Sequence, residues 1–310
     1  MRTIDAATVA SVLTPQRLVP LLETMFRDGC SMPTRHHHEI PVLSGAPATL
    51  LLMPAWTSAD YIGVKIVTVF PSNAALKLPA VSAGYLLMDG TTGAILALID
   101  GTELTAKRTA ATSALAARFL VRSDARALLI VGTGRIAREL ARCHMAMHPQ
   151  LREISIWGRS TQNATLAAQE LAAVGIAATV VTDLNRAAAR ADLISVATLA
   201  HTPLVLGTHV RQGTHVDLVG AFTPQMREAD DELIAKAHVF VDTTTALAEA
   251  GDLLEPLQRG VLDAAAVVDL AALCRGSRPG RQSTGDITLF KSVGSALEDL
   301  AAAIAVYEAS

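Results

Sequence analysis

One lysine of this chain falls where an apolar strand is expected to carry none. Lys65 sits inside Tyr61-Ile-Gly-Val-Lys-Ile-Val-Thr-Val-Phe70. Read as a strand, one face carries Val64, Ile66 and Thr68, and the other carries Lys65 with Val67 and Val69. An ammonium buried there is costly unless it meets an anion. Either it holds a substrate carboxylate or takes a catalytic role, or it is an edge lysine whose stem reaches out to water. Arg108 gives the same signal on a helix. From Thr102 the apolar stripe runs through Leu104, Ala111, Leu115 and Phe119, and Arg108 falls on it. A guanidinium there needs an acceptor: an internal aspartate such as Asp100, or a substrate carboxylate held by two parallel hydrogen bonds. The segment Arg35-His36-His37-His38-Glu39 suggests a metal at first sight. Three consecutive histidines on an extended chain point to alternating sides, however, so no metal site is expected and the segment reads as a solvated polar loop.

A second chemical signal begins at Ala-Leu-Leu-Ile-Val followed by Gly132-Thr133-Gly134-Arg135-Ile136-Ala137. This is a strand running into G-x-G-x-x-A at a helix start. Gly132 permits a tight turn, Gly134 lets the backbone approach a pyrophosphate, and Ala137 allows close packing of a helix whose N-terminus faces the phosphates. At the end of the next strand, about 20 residues on, an NAD site usually places a carboxylate against the ribose 2′-hydroxyl. Here the residues are Gly158, Arg159 and Ser160. A carboxylate would repel a 2′-phosphate, whereas a guanidinium and a hydroxyl can hold one, so the sequence favours NADP(H), with NAD(H) as the second choice.

These residues need two kinds of scaffold. The first third alternates short strand-like runs (49–53, 61–70, 83–89 and 94–100) with turn signals at Pro54, Pro71 and Gly90 to Gly93, which predicts a mostly antiparallel sheet. A helical pattern over roughly 14–27 precedes it, and a longer one over about 102–121 follows. From Ala125 the texture becomes strand, helix, strand, helix, with further apolar runs at His-Val-Asp-Leu-Val-Gly and His-Val-Phe-Val-Asp. This predicts a doubly wound parallel sheet of Rossmann type. The chain is therefore read as α/β: residues 1–123 an α+β substrate-binding and dimerisation domain, and residues 124–294 the dinucleotide-binding domain. Residues 295–310, helical after Gly294, are expected to pack back onto the first.

Composition narrows the partners. The 310 residues are 51% hydrophobic and 18% charged, which excludes disorder, collagen and coiled coil. A net charge of −3 supplies no field for nucleic acid or an anionic membrane, leaving small molecules. Cys30, Cys143 and Cys274 form neither a disulfide framework nor a zinc site and suit a reducing, cytoplasmic location. The start carries Asp5 and lacks a charged region followed by an apolar run, so no signal peptide is expected. The uncharged stretch 40–59 is broken for a membrane helix by Pro41, Ser44, Gly45, Pro47 and Pro54.

With Lys65, Thr-Ala-Lys-Arg-Thr-Ala-Ala-Thr-Ser-Ala-Leu-Ala-Ala around Arg108, the Gly-Thr-Gly-Arg-Ile-Ala turn, Val-Gly-Ala-Phe-Thr-Pro-Gln-Met-Arg-Glu-Ala-Asp and Phe-Lys-Ser-Val-Gly-Ser-Ala-Leu-Glu-Asp-Leu-Ala-Ala-Ala in that order, the chain resembles the ornithine cyclodeaminase and mu-crystallin family nearly end to end. The resemblance implies a homodimer joined through the N-terminal sheets and a nicotinamide cofactor on the Rossmann domain, with Thr198 added to the cofactor-binding residues. Its substrate-carboxylate clamp maps onto Arg35, Lys65 and Arg108, with Lys65 and Arg108 as the catalytic pair, so an α-imino or α-amino acid is expected. Two departures matter. The aspartate that ornithine cyclodeaminases use near the substrate's side-chain amine falls at Phe222, and an acidic position before Leu-Met-Pro falls at Leu51. An apolar pair cannot hold an ammonium or accept its proton. The expected activity is thus NADPH-dependent reduction of a cyclic ketimine acid to proline or pipecolate. The alternatives are an NAD-dependent ornithine cyclodeaminase, an alanine dehydrogenase, or a non-catalytic binding protein gated by NADPH.

Overall fold

The computed structural model describes residues 1–310 apart from Ser44, Ala59 and Lys77, and Ala74 and Ala75 by their backbone alone. Ser44, counted above against a membrane helix, thus lies outside the described residues. Two compact units form, Met1–Arg108 with Ser295–Ser310, and Thr109–Gly294. The sequence placed this division near Ser123, at the end of a helical pattern. The two units divide instead within helix α3 (Gly101–Leu120), between Arg108 and Thr109, so an unbroken helix belongs to both. Among the described residues no helix is long and apolar enough to cross a membrane.

The first unit begins with β1 (Arg2–Ile4), α1 (Ala6–Val12) and α2 (Pro15–Asp28). Thr14 caps α2 ahead of Pro15, whose fixed φ suits the first helical position, and Gly29 at φ +79° ends it. Then follow β2 (His36–Ile40), β3 (Ala48–Trp56), β4 (Tyr61–Val69), β5 (Val81–Asp89) and β6 (Ile95–Asp100). The sheet order is β1-β6-β5-β4-β3-β2, antiparallel except for the β1–β6 pair. The histidine segment expected as a loop is the edge strand β2, paired with β3. It lacks apolar alternation because an edge strand tolerates polar residues on both faces. His36 and His38 project to one side, with ring centroids 6.2 Å apart.

One face of this sheet meets the C-terminal helix (Ala296–Ala309), which packs in turn on α2. Leu18, Val19, Leu22 and Phe26 of α2 are buried there, with Met53, Val67, Tyr85, Leu87 and Ile99 from the strands. On the opposite face Trp56, Ile66, Ile95 and Leu98 are exposed within one chain.

The second unit contains β7 (Ala127–Val131), α4 (Arg135–Met147), β8 (Glu153–Trp157), α5 (Thr161–Ala172), β9 (Thr179–Val180), β10 (Leu193–Val196), β11 (His215–Leu218), β12 (Ala237–Val241), β13 (Val268–Asp269) and β14 (Ile287–Lys291). All pair in parallel, in the order β13-β12-β14-β11-β10-β7-β8-β9. This is a Rossmann-type doubly wound sheet, whereas the first unit is α+β. Strand β14 is inserted between β11 and β12 and buried throughout, as a central parallel strand must be. Valine, leucine and isoleucine from β7, β10, β11, β12 and β14 form the core. The chain runs outward from β7 through β8 to β9 and then returns to β10 on β7's other side. The crevice between β7 and β10 is therefore the switch point where such sheets bind ligands, at the strands' carboxyl ends.

Candidate active site

In the first unit, Lys65 stands in the middle of β4, opposite Met53 of β3 and Tyr85 of β5. It is 2% exposed, and its Nζ lies 2.7 Å from Asp299 Oδ2 on the C-terminal helix. Arg108 of α3 reaches the same helix, its Nε 2.9 Å from Asp299 Oδ1 and its Nη1 2.7 Å from Glu298 Oε2. Asp100, the internal partner that the sequence suggested for Arg108, instead accepts the backbone N–H of Glu103 at 2.7 Å. The acceptors are Glu298 and Asp299, both buried. Glu298 is fixed by a capping box, its Oε1 accepting from the Ser295 N–H at 3.1 Å and the Ser295 hydroxyl at 3.0 Å. Its other oxygen is thereby turned to Arg108.

Burial draws the Lys65 ammonium down to about 8, opposed by Asp299 and reinforced by Arg108 and Arg35. Arg35, half-buried just before β2, thus shares the electrostatic neighbourhood of the other two cations. Burial works to raise the Asp299 carboxyl, but Arg108 and then Lys65 hold it below the usual range. Lys65 and Arg108 are thus both held out of water by carboxylates of one helix, with Arg35 adding to the positive field around Lys65. Leu51 lies on the same face of the sheet, since it pairs with Val67, two residues from Lys65.

In the second unit, β7 ends in the predicted turn. Gly132 adopts φ +127°, and a Cβ there would lie 2.4 Å from the Ala197 carbonyl oxygen, so only glycine fits. Gly134 is the N-cap of α4 and brings no capping side chain; a Cβ built on it meets nothing within 4 Å. That open space before a 13-residue helix suits a pyrophosphate, as the nucleotide reading requires. Ala137 is buried against the turn, while Thr133 and Ile136 are half-buried and Arg135 is exposed. After β8, a Cβ on Gly158 would lie 2.5 Å from the Thr133 methyl, so this loop is pressed against the glycine turn. Arg159 is exposed beside it. Ser160 caps α5, its Oγ accepting from the Asn163 N–H at 3.2 Å, which leaves the hydroxyl hydrogen free to donate.

Thr198 follows β10 at the same edge. Its N–H and hydroxyl both donate to Glu228 Oε1, at 2.7 and 2.9 Å. The other oxygen of Glu228 accepts from the N–H groups of Gly220 and Ala221, at 2.8 and 3.1 Å. One buried carboxylate therefore ties the loops after β10 and β11 together. Behind it, Lys291 Nζ lies 3.7 Å from Glu228 and 2.9 Å from Asp252. Burial raises the Glu228 carboxyl, with Lys291 opposing. Phe222 comes next in the tethered loop and is 40% exposed. Sequence reasoning missed Glu298, Asp299 and Glu228. The first two had a local sign: adjacent acids inside Ala-Leu-Glu-Asp-Leu-Ala-Ala-Ala, with serine three residues before the glutamate.

Residues 5–310 match the model of the ornithine cyclodeaminase/mu-crystallin family. The chain is 38% identical over 314 residues to a Delta(1)-pyrroline-2-carboxylate reductase of Colwellia psychrerythraea, covering 99% of each chain. It is 41% identical over 275 residues to one from Paracoccus denitrificans, covering 86% of this chain and 87% of the relative. Among solved structures it superposes on the Delta(1)-pyrroline-2-carboxylate reductase of Thermococcus litoralis in complex with NADH and L-proline. That match has a TM-score of 0.93 and 32% identity, and it covers 99% of this chain and 97% of the other.

Proposed function

Since the chain belongs to the ornithine cyclodeaminase/mu-crystallin family, we propose that it reduces Δ1-pyrroline-2-carboxylate or Δ1-piperideine-2-carboxylate to proline or pipecolate, with NADPH as the preferred cofactor. It is an NAD(P)-dependent oxidoreductase of that family. The observation that carries the substrate class is the pair of buried cations Lys65 and Arg108 held side by side on Asp299 and Glu298, with half-buried Arg35 in the same electrostatic neighbourhood. Lys65 and Arg108 bind the substrate carboxylate and fix the ring, and Arg35 closes the clamp from its edge. The reduced nicotinamide supplies the hydride. Gly132, Thr133, Gly134, Arg135, Ile136 and Ala137 hold its pyrophosphate, Arg159 and Ser160 take the 2′-phosphate, and Thr198 contacts the nucleotide from the loop after β10.

Where the family resemblance expects two acids for the far end of ornithine, this chain has Phe222 and Leu51. Ornithine presents a second ammonium there, and desolvating it without a partner costs several kcal/mol. An uncharged pyrroline or piperideine ring finds apolar contacts instead. The open sheet face of the first unit is read as the surface on which two copies join.

The test is a substrate panel with NADH and NADPH. We expect clear NADPH oxidation with a cyclic ketimine acid and little or no ammonia from ornithine with NAD. Efficient conversion of ornithine to proline would overturn the reading.

A further inference from the structure

A buried lysine flanked by two guanidinium groups is a poor place to keep a proton. Burial, Arg108 and Arg35 all press Lys65 toward its neutral form, and Asp299 acts against them. The other groups around it do not replace that carboxylate. Glu298 is engaged with Arg108 and with the Ser295 cap. Tyr85, opposite on β5, is fully buried and its phenol is raised well above the usual value by burial, so it stays uncharged, as does Cys30, pushed up to about 11 by burial. Asp299 touches Lys65 at 2.7 Å with one oxygen and receives Arg108 Nε at 2.9 Å on the other. It stands on a helix whose first turn is pinned by the capping box. The carboxylate is thereby held at the ammonium from a rigid support.

We propose that Asp299 is a positioning residue for proton delivery: it keeps Lys65 charged and oriented, so that Lys65 both binds the substrate carboxylate and protonates the imine nitrogen. This rests on the ketimine reading above. In an α-imino acid the nitrogen is attached to the carbon that bears the carboxylate, so an ammonium bound to one carboxylate oxygen is also next to the nitrogen. The substrate's C=N π bond breaks as its carbon takes hydride from the reduced nicotinamide and its nitrogen takes a proton from Lys65 Nζ. Lys65 is left neutral beside Asp299, which stays ionised and favours reprotonation of the amine from solvent.

The test measures binding apart from turnover. Pyrrole-2-carboxylate, a planar ring acid that cannot be reduced at an imine, is titrated into the NADP⁺-loaded protein by calorimetry between about pH 6 and 10. Wild-type affinity is expected to fall as pH rises through about 8, where Lys65 loses its charge. Asp299→Asn should move that fall to lower pH by at least about one unit, roughly a tenfold loss at a fixed pH on the falling limb. Asp299→Glu should keep the wild-type midpoint, and Lys65→Arg should bind without an alkaline fall. Lys65→Arg should also turn over on the order of 100-fold slower than wild type, because a guanidinium is a poor acid. A folded Asp299→Asn with the wild-type midpoint and a uniform loss of affinity overturns the positioning role. Should Asp299→Asn not fold, an alkaline fall persisting in Lys65→Arg, or unchanged kcat in that variant, overturns the proposal. Wild-type protein that binds the ring acid with this pH dependence yet oxidises no NAD(P)H with cyclic ketimines would count against the ketimine reading alone.

Discussion

On the proposed reading, Arg159 and Ser160 stand where a single residue's charge selects between two cofactors. Gly158 keeps the loop against the glycine turn, and Ser160 is fixed by capping α5, so the guanidinium starts from a well-defined backbone position. Arg159→Ala should raise the KM for NADPH by roughly 10-fold to 150-fold, the worth of a charge-assisted contact of about 1.5–3 kcal/mol, and leave NADH nearly unchanged. Wild-type catalytic efficiency equal or better with NADH would defeat the argument. At this scale the cations were legible in the sequence and their partners were not. Lys65 and Arg108 betray themselves because each interrupts an apolar pattern of its own element. Their carboxylates lie 191 residues beyond Arg108 in the case of Asp299, and a pairing across that separation leaves no local periodicity. The nearest acid, Asp100, was the natural guess, and it serves the start of α3 instead.

Elements show the same division between local and distant causes. The β7–turn–α4 unit was readable because the turn's glycines and the helix period are all local, whereas β2 and β14 were not. The first is polar on an edge, and the second is a short apolar run hidden before a long helix. Helix α4 also carries an acid-sensitive end that only packing reveals. His148 caps it, donating its N–H to the His144 carbonyl at 2.8 Å, with the two rings 5.8 Å apart. Burial, then His144 and His215, draws His148 from 6.5 down to about 4, with Asp217 opposing. Asp217 itself accepts from His144 and His215 at 2.8 and 2.9 Å; burial would raise it, but these two histidines hold it far below the usual range. Between pH 6.5 and 4 the unfolded chain binds a proton at His148 that the folded chain refuses, so stability is lost as pH falls through that window. At about pH 5 the loss should reach about 2 kcal/mol. Urea unfolding at about pH 7 and 5 should show less acid loss in His148→Gln than in wild type. Equal losses would remove His148 from the account.

For the whole molecule, the open face of the first sheet is the feature that a single chain leaves unexplained. Trp56, Ile66, Ile95 and Leu98 form alternate positions across β3, β4 and β6, an apolar surface of the kind that marks an interface. A two-fold dimer through this face is the expected assembly. Ile66→Lys together with Leu98→Lys should give a monomer in sedimentation analysis at micromolar concentration, with exposed charge where two sheets would meet. A double variant that remains dimeric would place the interface elsewhere. The division into two units carries one more consequence, in the order in which the chain is made. Lys65 and Arg108 are synthesised long before Asp299, which arrives only after the entire second unit has been completed. A chain that stopped at Gly294 would have to bury two cations with neither Glu298 nor Asp299 beside them, a loss of about 3–5 kcal/mol for a broken buried pair. The same ion pairs therefore make the stability of the first unit depend on the C-terminal helix. A chain released before that helix is made would lack this stabilisation and be more exposed to unfolding and clearance.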